Sequence, residues 1–313
     1  MASPLLLALI LISLAMMPTP NVAESPAESY WKMKLGSETD MPKIVKDALI
    51  GSDENAKVMI QKGFFTITKE VESSSMCNTE DHNYSKAFNN TLEDIDPTKH
   101  SIFFIESDLI HPGKTFKLNF MKIEDNAKFL PVQVAKSIPF SSKNYPQILE
   151  MFSAKPHSTS AVIMEDTIEA CEKKAMEFDE MKLCALTLED MVDYAISYVG
   201  QSMSTVSGYV DRKIQDVHTV LNAKKIESDG AMFCHKICYP YAVFYCHKPK
   251  ETNLYEISMV DLEGKTMNAI GVCHANTAFW APKHYAFQML KVKPGTVPIC
   301  HFLNERSIAF VPK

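Results

Sequence analysis

The 313-residue chain contains no Ser-His-Asp order, no glycine-rich loop that would cradle a phosphate and no His-Glu-x-x-His pattern. Hydrolases and nucleotide-using enzymes depend on such arrangements, so both classes are set aside. Lysine and arginine form no cluster, and the formal net charge is -6. A nucleic-acid partner needs a basic face to displace counterions from phosphates, and this chain offers none. Past its first residues no apolar run is long enough to cross a bilayer, so no membrane anchor is expected. Cysteine is missing until Cys77, which leaves all eight cysteines in the remainder of the chain.

The chain opens with an uncharged, Leu/Ile/Ala-rich run from Leu5 to Ala15, followed by the helix breakers Pro18 and Pro20. This pattern predicts a signal peptide over residues 1–23 with cleavage after Ala23, although Asn21 is not one of the small residues preferred at its position. An even cysteine count fits an oxidising compartment where disulfides persist. Two glycosylation sequons, at Asn83 and Asn89, fall in a polar stretch and agree with passage through the secretory pathway.

Four Cys-His dipeptides occupy the last quarter of the chain: Cys234-His235, Cys246-His247, Cys273-His274 and Cys300-His301. With 8 Cys and 10 His in the sequence, chance predicts roughly a quarter of one such dipeptide. Each follows a short apolar or aromatic run that reads as a strand, and neighbours along a strand point to opposite faces. The cysteines are therefore expected to pair as disulfides on one side while the imidazoles gather on the other, where a metal is the candidate ligand. Two alternatives stay open: a mixed Cys/His zinc cluster, whose ligands usually converge from one turn, and imidazoles that only hydrogen-bond inside a β core.

Residues 24–100 are expected to form a variable, partly disordered N-terminal segment with one short helical candidate, Met41 to Ile50, and a polar run from Thr68 to Lys99. From residue 101 the pattern changes. Ile102 to Ile105 reads as a buried strand and Phe116 to Phe120 as an alternating one. A helix is expected from about Ser160 to Met176. Another carries Leu188, Met191, Val192, Ala195, Ile196 and Val199 on one stripe, with Thr187 as its cap and Gly200 as its stop. Cys171 and Cys184 flank the connection, as a staple for a helical hairpin or as two buried thiols. Strands are expected at Leu254–Val260, Thr266–Cys273, Ala286–Val292 and Ile308–Val311. Strands after helices give an α+β fold with a largely antiparallel, disulfide-bonded β region.

The dipeptide spacing, the Tyr239-Pro240-Tyr241-Ala242-Val243-Phe244-Tyr245 stretch and Lys293-Pro294-Gly295-Thr296-Val297-Pro298 resemble the plant BURP domain. Phe103-Phe104 with Asp108-Leu109, and Ser137-Ile138-Pro139-Phe140, resemble its earlier part, so the resemblance spans residues 101–313. It implies a secreted or vacuolar plant protein linked to seed development, stress or the cell wall, with wall polysaccharide or a wall enzyme as partner. Most members have no established activity, while a subset are copper-dependent cyclases that crosslink a Tyr or Trp side chain within their own precursor. On this chain the resemblance names His235, His247, His274 and His301 as copper ligands, and an all-nitrogen set suits copper. Copper would supply the one-electron and O2 chemistry that side chains lack. No repeated Tyr/Trp unit lies between Glu24 and Lys99, where Tyr30 and Trp31 stand near the mature N-terminus, so catalysis is not expected. Proton competition predicts weaker copper binding as pH drops from about 7 to about 5. His284 is either a fifth ligand or a capping residue at an element end, with the cap favoured. Cys77 and Cys238 fall outside the family's usual six positions and are expected to bridge the leader to the core.

Overall fold

The computed structural model describes residues 25–50, 103–118, 126–174, 179–208, 216–280 and 282–313. The expected signal peptide, the polar run, Cys77, Asn83 and Asn89 lie outside these residues. In chain order the first elements are α1 (Pro26–Leu35), α2 (Lys43–Asp47), β1 (Phe103–Ile105), α3 (Ser107–Ile110) and β2 (Thr115–Lys117). A helical stretch follows, with α4 (Val132–Ser137), α5 (Tyr145–Met151) and α6 (Thr159–Glu172). Next come β3 (Asp179–Ala185), α7 (Leu188–Val199), β4 (Met203–Ser207), β5 (Val217–Ile226), β6 (Met232–Ile237) and β7 (Val243–Pro249). The last elements are β8 (Thr252–Asp261), β9 (Thr266–His274), α8 (Tyr285–Leu290), β10 (Ile299–Phe302) and β11 (Ser307–Pro312).

The strands form two antiparallel sheets, one ordered β1-β10-β9-β8-β5-β2 and the other β3-β7-β6-β11-β4. The six-stranded sheet curls until its edge strands meet, bringing the rings of Phe104 on β1 and Phe116 on β2 to 5.1 Å. Gly271 faces this interior, where a Cβ would lie 2.8 Å from Ile257 Cδ1 and 3.4 Å from the Phe104 ring. Side-chain alternation gives each sheet two distinct faces. Leu254 and Val272 of the six-stranded sheet pack with Phe233, Ala309 and Val311 of the five-stranded one, and this layer joins the sheets. The opposite face of β6, β7 and β11 presents Cys234, Cys246, Phe244, Ile308 and Phe310 to α1, α2 and α7.

α7 matches its expected bounds because every local signal agrees. Thr187 Oγ1 accepts from the Asp190 amide at 3.0 Å, two acidic residues occupy the first turn, Leu188, Met191, Val192 and Ala195 are buried, and Gly200 leaves at φ 104°. Elsewhere the structure differs from expectation. The Cys171–Cys184 disulfide ties α6 to β3 rather than helix to helix, because a strand lies between the two helices. Residues 286–292, expected as a strand, belong mainly to helix α8: His284 Nδ1 accepts from the Ala286 amide at 3.1 Å, and Lys291 ends the turn at φ 55°. A short apolar run carries no periodicity that separates helix from strand. Residues 25–50 also pack into the core, with Trp31, Leu35, Met41, Val45 and Ala48 buried beside α7 and β11.

Candidate metal centre

Strand register explains why cysteine and histidine recur as a dipeptide. On β6 and β7 Cys234 stands opposite Cys246, and on β9 and β10 Cys273 stands opposite Cys300. Both couples are disulfides, with Cα separations of 4.0 and 3.9 Å. Each histidine follows its cysteine and so points to the other face. Because the strands are antiparallel, one step forward on each moves in opposite directions. His235 therefore faces Tyr245 and His247 faces Phe233, while His274 faces Ile299 and His301 faces Val272. The histidines of each couple become diagonal neighbours on one face, within reach of long side chains. His235 Nε2 lies 3.2 Å from His247 Nε2, and His274 Nε2 lies 3.4 Å from His301 Nε2. A disulfide in register thus builds a histidine pair on its reverse side.

Hydrogen bonds at the other ring nitrogen orient two of the four imidazoles. His235 Nδ1 is 2.8 Å from Ser307 Oγ, whose hydroxyl donates to Asn304 Oδ1 at 2.7 Å. With its own proton committed, the hydroxyl accepts from His235 Nδ1–H, which leaves the Nε2 lone pair aimed at His247. His301 Nδ1 donates to the Phe302 carbonyl at 3.3 Å, which likewise leaves Nε2 as an acceptor facing His274. Fixing the tautomer by the distal nitrogen is how proteins prepare imidazole ligands.

Burial holds His235, His274 and His301 neutral. Desolvation pushes His235 and His274 well below the ordinary imidazole range and His301 down to about 4. The charged form of His235 is further disfavoured by His247 and by His301, and that of His274 by His301, His247 and His235. The two pairs, one from each sheet, are therefore in electrostatic contact. Proton competition for a ligand at His301 moves from the expected window of about pH 7 to 5 to lower pH, since that imidazole stays neutral until about pH 4.

Two nitrogens about 2.0 Å from a shared ion sit roughly 2.8 Å apart at a right angle and roughly 3.3 Å apart at a tetrahedral one. The spacing within each pair fits this requirement. Among the described residues no group of three or more His, Cys, Asp or Glu stands ready to hold an ion as placed. A four-imidazole site would need the two pairs to draw together. Sulfur takes no part, because Cys234, Cys246, Cys273 and Cys300 are in disulfides on the reverse faces, which removes the mixed Cys/His zinc cluster.

His284 spends Nδ1 on capping α8 and is held at about 4 by burial. Its ring lies 4.6 Å from Trp280 and 5.8 Å from Phe103. Cys238 is disulfide-bonded, and its expected bridge to Cys77 involves a position outside the described residues. Sequence reasoning missed Ser307 and Asn304, which reach His235 only through the pairing of β11 with β6. It also missed Trp280, buried at 5.2 Å from the His274 ring, and the role of Phe103 at 6.4 Å from His301. The sequence signal for Trp280 was an indole close to the Cys273-His274 dipeptide, whereas Phe103 lies far from every dipeptide along the chain.

The family model of the BURP domain matches residues 102–312. The chain belongs to the BURP family. Among similar proteins, BURP domain-containing protein 3 of Oryza sativa subsp. japonica is 44% identical over 218 residues, covering 67% of this chain and 50% of that protein. BURP domain protein RD22 of Arabidopsis thaliana is 39% identical over 236 residues, covering 72% and 59%. Polygalacturonase 1 beta-like protein 3 of Arabidopsis thaliana is 31% identical over 218 residues, covering 64% and 34%. The chain spans about half the length of the first two of these BURP relatives. Its disulfides accord with the oxidising compartments of the secretory pathway, and no helix among the described residues is long and apolar enough to cross a membrane.

Proposed function

We propose that this BURP protein serves in the secretory pathway, at the wall or in the vacuole, as a copper-binding protein with a binding rather than a catalytic role. His235, His247, His274 and His301 would hold the ion. The observation that carries this reading is the pair of Nε2 to Nε2 approaches, 3.2 and 3.4 Å, with His235, His274 and His301 kept neutral by burial. Neutral imidazole suits Cu(II), and the absence of thiolate from the set favours it over structural zinc. Bound copper supplies one-electron chemistry. The chain's own part is to present lone pairs, fix tautomers through Ser307 and the Phe302 carbonyl, and wall the β9–β10 pair with Trp280 and Phe103.

The rival reading is a copper-dependent cyclase acting on its own precursor. Against it, Trp31 is 1% exposed and donates Nε1–H to the Thr39 carbonyl at 2.8 Å, while Tyr30 donates to Asp193 at 2.9 Å. The aromatics near the mature N-terminus are thereby used in folding. A wall polysaccharide or wall enzyme remains the proposed partner, supported by the name of the polygalacturonase beta-like relative.

The test is mass spectrometry of the purified mature protein with and without Cu(II), alongside metal analysis. Stoichiometric copper with unchanged peptide masses is expected. Loss of two hydrogens from a Tyr- or Trp-containing peptide would replace the binding role with cyclisation, and failure to retain copper would remove the metal reading.

A further inference from the structure

Residues 25–50 lie outside the BURP match, yet they complete the outer face of the five-stranded sheet. The segment organises itself. Ser25 and Glu28 form a capping box around the start of α1, with Glu28 Oε2 accepting from the Ser25 amide at 3.0 Å and Ser25 Oγ from the Glu28 amide at 3.2 Å. Trp31 closes the far end by donating to the Thr39 carbonyl.

Everything else it touches is distant in sequence. The Trp31 ring packs on Phe310 with centroids 6.1 Å apart, among Met203, Met232 and Ile308. The seat also reads the segment's backbone. Thr205 Oγ1 donates to the Asp40 carbonyl at 2.8 Å, and the Phe129 amide donates to the Ala48 carbonyl at 2.7 Å. In return Thr39 Oγ1 donates to the Met203 carbonyl at 2.9 Å. At the rim Tyr30 and Lys34 both reach Asp193 Oδ1, at 2.9 and 3.1 Å. An aromatic anchor in a pocket, main-chain carbonyls read in register and a polar rim are the parts of a peptide-recognition site. None of these contacts depends on the chain being continuous, and residues 51–102 separate the segment from β1.

We propose that the outer face of the five-stranded sheet, between α7, β11 and β4, is a peptide-binding surface whose resident ligand is the chain's own residues 25–50. The segment stays seated when the chain is cut between it and the domain. Proteolysis within residues 51–102 then yields a two-chain protein with the seat occupied. His235 and His247 lie on the opposite face of β6 and β7, and His274 and His301 lie on the other sheet, so this surface is separate from the proposed metal site.

The experiment uses the full chain with a Gly/Ser-flanked protease site inserted after Gly51, disulfides intact. The released fragment would contain no cysteine, so only non-covalent contacts can retain it. After cutting, gel filtration at micromolar concentration and intact mass analysis read how much fragment travels with the domain. Near-complete retention is expected, with at least tenfold weaker retention for Trp31→Ala. Thr205→Val and Asp193→Asn leave the anchor in place and should each weaken retention by a few-fold, which keeps the test valid if the tryptophan variant folds poorly. Loss of the unsubstituted fragment on cutting, or retention indifferent to all three substitutions, would overturn the proposal.

Discussion

The two Cys-His couples share one construction and differ in what surrounds it. On β6 and β7, His235 and His247 are half-buried, and His235 leans on a side-chain hydroxyl, Ser307, with Asn304 behind it. On β9 and β10, His274 and His301 are buried, His301 leans on a backbone carbonyl, and Trp280, Phe103 and His284 form an aromatic wall. The first pair is held by a group that mutation can remove, and the second by burial and backbone. The same dipeptide therefore yields one adjustable pair and one rigid pair.

The largest expected effect sharpens that contrast. Trp280→Ala should cost about 3 to 5 kcal/mol of stability by opening a cavity beside His274, while leaving the β6–β7 pair in place. Thermal unfolding gives the loss, and histidine NMR would show His274 and His301 shifted with His235 unmoved. Disulfide removal comes next. Replacing either Cys234 with Cys246 or Cys273 with Cys300 by alanine should cost about 2 to 4 kcal/mol in urea melts. The Cys273–Cys300 pair should cost slightly more, because it closes 27 residues of chain against 12.

Acid should weigh on both pairs, and most around β9, β10 and α8, where His274, His301 and His284 are all held low by burial. In metal-stripped protein the folded-state values of His301 and His284, about 4, lie below the ordinary imidazole value of 6.5. The unfolded chain then binds more protons between those limits, so stability is full above about pH 6.5 and falls as pH drops toward 4, by a few kcal/mol in sum. His274, and His235 in the first pair, add in the same direction. Hydrogen exchange should show β9, β10 and α8 losing protection first, and loss that begins only below pH 4 would remove the effect. The smallest change is Ser307→Ala, which deprives His235 of its orienting partner. Copper affinity should drop about 10- to 100-fold with little change in melting temperature, and an unchanged affinity would mean that the tautomer of His235 is set elsewhere.

What could be read in advance follows from which signals are local. α7 was legible because cap, stripe and stop all lie within fourteen residues, Thr187 to Gly200. The opposed faces of cysteine and histidine were legible because alternation is a property of a single strand. Which strands pair is a long-range fact, so Ser307 opposite His235 and Cys184 on a strand beside α6 could not be foreseen. Residues 286–292 were misread because their apolar run fits both periods, and the deciding cap comes from a histidine side chain. The burial of Trp31 could not be foreseen, because its pocket is made by residues some 170 to 280 positions further on.

The central claim is that imidazoles from both sheets hold one ion. Electron paramagnetic resonance of Cu(II)-loaded protein tests it most directly. The account predicts one copper per chain with splitting from several imidazole nitrogens, and loss of part of that splitting on replacing either His235 or His301 by alanine. A copper signal indifferent to both substitutions would contradict it.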